Sequence, residues 1–204
     1  MSRGVIELLP LDNLPTSYRA SADMMNRLVG ESTTIQVLAH SPPSVEFYFQ
    51  DFYEQMFYNK RLGLKVDVQT KQLIRLRLSK RHGCALCNRA NEEEVRTLGF
   101  TEAQIDALFH LEPDLGVFTE MERAIIDWAD QMVLSNQNGR LDAILYARLR
   151  RYFSDEQIVE MAMVTAILVG ATKMTFVLDI VPREATCNLE PRLPALEPRM
   201  AGAA

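Results

Sequence analysis

Cysteine is scarce in this chain of 204 residues: there are three, an odd number that does not build the paired framework of a small secreted domain. Histidine is equally scarce, with three scattered copies, and offers few sets of metal ligands. No basic cluster interleaved with aromatics occurs and the net charge is −5, which argues against a nucleic-acid partner. Alternating β-branched runs are rare, and Asn138-Gly139 falls between two helical patterns rather than two strands. The most apolar stretch, MAMVTAILVGATKMTFVLDIV at 161–181, is interrupted by Lys173 and Asp179. Against the ~20 apolar residues of a membrane span it reads as a buried helix. The N-terminal MSRGVIELLPLDNLP lacks the apolar core and small-residue cleavage site of a secretory leader. These absences point to a cytoplasmic protein with neither a membrane nor a nucleic acid as partner. In a reducing compartment a close cysteine pair is more often catalytic or metal-binding than structural.

What the sequence does have is helix starts. Thr101, Thr119 and Ser154 each precede an acidic or apolar helical pattern, with Gln104, Glu122 and Gln157 three residues on, the spacing of the capping box. Ser44 after SPP is expected to open SVEFYFQDFYEQMFY, and Asp142 to open DAILYARLRRYF. The pattern predicts about eight helices and no strand, an all-α fold. Segment 1–36 reads as an N-terminal helical extension, 37–181 as the main domain and 182–204 as a Pro-rich tail. Seven aromatics crowd 47–58, with Val45, Phe49, Phe52 and Met56 at helical spacing toward the core. The 158–180 helix, apolar nearly all round, is expected to be buried on every side, within the domain or between subunits.

The chemistry concentrates in SKRHGCALCNRAN at 79–91. Cys84 and Cys87, three apart, fall on one face of a helix that Gly83 is expected to open, with Cβ atoms ~5–6 Å apart. A disulfide needs ~3.8 Å, so a small adjustment in the first turn would close it. Unpaired N–H groups and partial positive charge at a helix N-terminus favour thiolate, and Lys80, Arg81 and Arg89 add cations nearby. Three readings stand: two core fillers, half of a zinc site with His82, or a redox dithiol. Zinc wants four ligands, and His40, His110 and Cys187 are isolated singles, so no metal or other cofactor is assigned. Cys187, in the tail, reads as incidental or as a regulatory thiol.

The surrounding stretch QLIRLRLSKRHGCALCNRANEEEVRTLGFTEAQIDAL resembles the core signature of the alkylhydroperoxidase D and carboxymuconolactone decarboxylase family. The matching positions are Leu73 to Ser79, Gly83, Cys84, Cys87, Leu98-Gly99 and Thr101 to Ile105, and weaker similarity covers residues 37–181. The resemblance implies an AhpD-like helical bundle that assembles as a homo-oligomer (dimer, trimer or hexamer). It implies thiol-dependent reduction of a hydroperoxide or another small molecule by the Cys84/Cys87 couple, reset by an external thiol reductant. The family's Glu and His, which carry protons to the cysteines, fall at Gln72 and Asn91. An amide cannot take and return a proton near neutral pH as His can. His82, two residues before Cys84, is therefore a candidate relay, with Gln72 and Asn91 lining the site. The resemblance makes Cys87 the first to meet peroxide, whereas helix-end electrostatics favours Cys84. A lactone-decarboxylase-type lyase, or a non-catalytic redox-sensing or binding protein, are the alternatives on this scaffold.

Overall fold

A computed structural model describes residues 4–110, 115–181 and 183–184. Nine α-helices occur among them: α1 (Thr16–Val29), α2 (Thr33–Leu38), α3 (Pro42–Val45), α4 (Val68–His82), α5 (Ala85–Thr97), α6 (Glu102–Ala107), α7 (Glu120–Met132), α8 (Ala143–Leu149) and α9 (Asp155–Val177). No named strand occurs among the described residues; there is an isolated antiparallel bridge between Cys84 and Arg183. The fold is all-α, as the helix starts predict. Thr101, Thr119 and Ser154 each form a full capping box, and the Asp142 carboxylate accepts from the amides of Ile144 and Leu145.

Helix α4 runs through the centre and packs on α5, α7 and α9. Every residue from Thr70 to Ser79 is buried, although Lys71, Gln72, Arg75 and Arg77 are among them. Burying a charge is tolerable only where it is paired and hydrogen-bonded, and these side chains are. The Lys71 ammonium meets Glu160 of α9 at 2.7 Å and donates to the Met56 carbonyl at 2.9 Å. The Arg77 guanidinium donates to both carboxylate oxygens of Asp130 in α7 and to the carbonyls of Leu108 and His110.

Two expectations change. The aromatic segment starts at Pro42 behind Ser41, not at Ser44, and from Glu46 to Phe57 it widens into a π-helix, closed by the Tyr58 amide donating to the Tyr53 carbonyl. The wider turn shifts the register, so Phe57 becomes fully buried along with Phe52 while Phe49 and Met56 stay half-buried. Helix α9, at 23 residues, is long and apolar enough to cross a bilayer by length and composition, but about a third of its apolar window is buried. Met161, Val164, Thr165 and Leu168 face inward, whereas Val159, Met163, Ala166, Gly170, Lys173 and Val177 form an exposed stripe at spacings of four and three. The expectation of burial on every side is corrected within the chain: the bundle covers one face and stops.

Candidate functional site

Helix α4 ends at Gly83, whose left-handed φ of 64° turns the chain sharply. Cys84 follows in an extended conformation and caps α5, its sulfur accepting from the Cys87 amide at 3.3 Å. Gly83 therefore closes one helix, and Cys84 itself opens the next. The extended cap brings the Cys84 and Cys87 Cα atoms to 5.3 Å, within disulfide range, and the two sulfurs are bonded.

The two cysteines have different surroundings. Cys84 is fully buried, packed with Val37, Phe176, Ile180 and Val181. The chain after α9 straps over it: the Glu184 amide donates to the Gly83 carbonyl at 2.8 Å, and Asn88 Nδ2 donates to Glu184 Oε1 at 2.6 Å. Cys87 is half-buried and lines a cavity of about 600 Å³. Met24 and Met25 of α1, Tyr48, Phe49 and Tyr53 of the π-helix, and Leu168 of α9 give that cavity its apolar walls.

A polar seam runs along the cavity between the antiparallel helices α4 and α5. Nearest Cys87, Asn91 Nδ2 donates to Ser79 Oγ at 3.1 Å. One turn further along α5, the Glu94 carboxylate accepts from Gln72 Nε2, from an Arg75 N–H and, at 2.6 Å, from the Tyr58 hydroxyl. Arg75 lies over the rings of Phe57 and Tyr53, at 4.9 and 5.6 Å from their centroids. Burial opposes the guanidinium charge, but Tyr53, Glu94 and Tyr58 outweigh it, and Arg75 stays protonated more firmly than a free arginine. Burial pushes the Tyr58 hydroxyl up to about 12, so it remains a donor at neutral pH. Burial, with Tyr53 beside it, raises Tyr48 well above its ordinary value.

Cys84, Cys87 and Asn91 thus come together, and Gln72 reaches the site through Glu94. His82 does not line the cavity: it is fully buried, and its Nε2 accepts from the Leu134 amide at 3.1 Å. Burial, reinforced by Arg81, lowers it to about 4, so it is neutral at pH 7. The nearby cations are engaged elsewhere, Lys80 with Glu92, Arg81 with Asp130 at 3.6 Å and Arg89 with the Val29 carbonyl at 2.7 Å. Cys187 lies outside the described residues, and among those described no group of three or more His, Cys, Asp or Glu could hold a metal. Residue types alone did not single out Arg75 or Tyr58; among Glu92, Glu93 and Glu94, read from the sequence as a solvent face that could lend the site one carboxylate, Glu94 is the one in the polar seam. The seven-residue spacing from Cys87 to Glu94, two helical turns on one face, was the available signal.

No family model matches the chain. An uncharacterized protein of Bacillus subtilis (strain 168), YdfG, is 28% identical over 99 residues, 48% of this chain and 66% of that protein, so the match spans just under two thirds of the relative. Among solved structures, a protein of unknown function from Agrobacterium tumefaciens, named as a candidate antioxidant-defence protein AhpD, is 27% identical with a TM-score of 0.57 over 70% of this chain and 92% of that one. The alkylhydroperoxidase AhpD core of a peroxidase-related protein from Ralstonia eutropha JMP134 superposes at 0.67, at 19% identity, over 95% and 99%. The debrominase Bmp8, solved with 2,3,4-tribromopyrrole, superposes at 0.64, at 18% identity, over 89% and 92%. The chain has the AhpD-like helical fold and is similar to peroxidase-related proteins that share it.

Proposed function

We propose that the protein is a thiol-dependent oxidoreductase that cycles Cys84 and Cys87 between dithiol and disulfide and reduces organic hydroperoxides. The observation that carries this is the bonded pair at the start of α5, with one sulfur on a cavity wall and the other sealed behind it. The Cys87 thiolate attacks the terminal peroxide oxygen. An S–O bond forms, the O–O bond breaks, and the alkoxide takes a proton and leaves as alcohol. The Cys84 sulfur then displaces hydroxide from the Cys87 sulfenic acid, and the hydroxide leaves as water with the Cys84 proton. Two thiols and one hydroperoxide give one disulfide, one alcohol and one water. An external dithiol resets the pair by attacking Cys87, the accessible sulfur. Glu94 carries protons along the seam, because the amides of Gln72 and Asn91 cannot.

The test follows hydroperoxide consumption with a dithiol reductant. Cys87→Ser abolishes turnover, and Cys84→Ser stops after one equivalent at a sulfenic acid that dimedone traps. Undiminished turnover in either variant would sink the reading. The debrominase on the same fold makes halogenated aromatics worth assaying in parallel. The buried amides at Gln72 and Asn91 favour a second reading, a redox-sensing protein, which oxidises stoichiometrically but does not turn over. The first reading also carries a reducing cytoplasm and a second copy of the chain covering the exposed stripe of α9.

A further inference from the structure

We propose that Met24 and Met25 form a second oxidation site: an apolar organic hydroperoxide held in the cavity oxidises their thioethers once Cys84 and Cys87 are bonded, and the sulfoxides then turn apolar ligands away. It rests on the reading above in taking organic hydroperoxides as what the cavity admits.

Sulfur reaches the cavity wall from two helices. Among the described residues that line it, Cys87 of α5 and Met24 and Met25 of α1 carry sulfur. Ser21, Met24, Met25 and Val29 share one face of α1, and Cys87, Ala90, Asn91 and Glu94 share one face of α5. Arg89 of α5 ties the two helices together by donating to the Val29 carbonyl at 2.7 Å. Met24 is 47% exposed and Met25 is half-buried, so neither is sealed in the core as Met161 is. With the disulfide closed, Cys87 has no thiolate to offer. The two thioethers are then the remaining soft nucleophiles on the wall.

The step balances without a further reagent. A thioether sulfur attacks the terminal peroxide oxygen, an S–O bond forms and the O–O bond breaks. The proton on the transferred oxygen passes to the departing alkoxide. One methionine and one hydroperoxide give one sulfoxide and one alcohol, the sulfur losing two electrons to the peroxide. The product side chain is polar, and it stands where Phe49, Tyr53 and Leu168 otherwise present an apolar surface. An apolar ligand that enters must strip water from the sulfoxide without returning a hydrogen bond. The site therefore responds to hydroperoxide in excess of the reductant, the condition in which disulfide accumulates.

The test treats the full chain in its disulfide form, without reductant, with cumene hydroperoxide or with hydrogen peroxide. N-acetylmethionine amide in the same tube serves as a clock, and peptide mapping by mass spectrometry reads each sulfoxide. Relative to the clock, Met24 and Met25 are expected to oxidise about tenfold faster with cumene hydroperoxide than with hydrogen peroxide, which gains nothing from apolar walls. Met163, 53% exposed on α9 and not on the cavity wall, is expected to show no such gain. Calorimetric titration with 6-phenylhexan-1-ol reads the consequence. Oxidation is expected to weaken its binding about tenfold in the unsubstituted chain and to leave it unchanged in the double variant Met24→Leu, Met25→Leu. The proposal is overturned if Met24 and Met25 gain no more than Met163, if the alcohol shows no saturable binding, or if oxidation affects both chains alike. Preferential oxidation of Met24 and Met25 in a chain that does not turn over hydroperoxide would refute the oxidoreductase and leave this site standing; turnover without that preference would do the reverse.

Discussion

Helices α4 and α9 invert what their sequences announce. Helix α4 carries Lys71, Arg75, Arg77, Lys80 and Arg81 and has its middle ten residues buried; α9 is the most apolar segment of the chain and exposes a whole stripe. Burial follows partners rather than polarity. Each charge on α4 that enters the core finds an oxygen fixed on a neighbouring element, so a central position is tolerated. Helix α9 has bundle neighbours on one side alone. The difference also places the chemistry, because a central helix with polar side chains can present Arg75, Ser79 and, through Glu94, Gln72 along a cavity that a purely apolar helix would leave inert.

The sharpest way to break the comparison is to cut the bond that joins the two helices. Glu160→Ala strands the Lys71 ammonium, whose side chain is fully buried, and is expected to cost about 3–5 kcal/mol in urea unfolding. Lys71→Met combined with Glu160→Leu is expected to recover most of that loss, since a packed apolar pair replaces a buried ion pair with little penalty. A double variant as unstable as Glu160→Ala would mean that the charges hold the junction by more than mutual compensation.

His82, the last residue of α4, tests burial by pH. It is lowered to about 4 in the folded chain against 6.5 unfolded. Below pH 6.5 the unfolded chain takes up a proton that the folded chain refuses, so stability falls as pH drops and the loss is complete near pH 4. The size is about 3 kcal/mol. Compared with His82→Gln, which keeps an acceptor for Leu134 but does not titrate in this range, the unsubstituted protein should lose stability faster between pH 6.5 and 4. Parallel curves would show that His82 does not contribute.

Glu94→Gln probes the seam itself. If the carboxylate carries the protons that Gln72 and Asn91 cannot, peroxidase turnover at pH 7 should drop about 10–100-fold. Glu94→Asp should restore part of it, and the deficit should narrow at higher pH as solvent hydroxide takes over. A uniform deficit at every pH would assign Glu94 to holding Arg75 and nothing more.

Much of this was legible locally. Capping boxes are contained within four residues, so Thr101, Thr119 and Ser154 announced their helices directly, and the motif around Cys84 and Cys87 pointed to the fold and to two sulfurs that the structure brings together. What was illegible depends on distant partners. Arg75 looks like a solvated helix cation until the π-helix supplies Tyr53 and Phe57, and nothing in EFYFQDFYEQMF distinguishes a π-helical register from an α-helical one. His82 is two residues from Cys84 in sequence, but the left-handed turn at Gly83 separates their directions and sends the ring toward Leu134. The caps can be weighed too: Ser154→Ala removes the acceptor for the Gln157 amide and is expected to cost about 1 kcal/mol in thermal unfolding, the ordinary value for an exposed cap. A much larger loss would mean that α9 depends on its own start more than on its packing against α4.

The smallest expected effect on folding carries the most information about α9. Met163 is 53% exposed on the stripe that includes Val159, Ala166 and Gly170, and a Cβ added at Gly170 would meet nothing within 4 Å. Such a face, apolar and built from small residues at its middle, permits close approach of a second backbone. Met163→Glu touches no core contact, so it should change the stability of the isolated chain by no more than about 0.5 kcal/mol. On a covered face it would place a charge in an apolar contact and disperse the oligomer, which light scattering after size-exclusion chromatography would register as a fall to monomer mass at micromolar concentration. A protein already monomeric without the substitution, or an oligomer indifferent to it, would leave α9 with its apolar stripe in water and remove self-association as the reason for its composition.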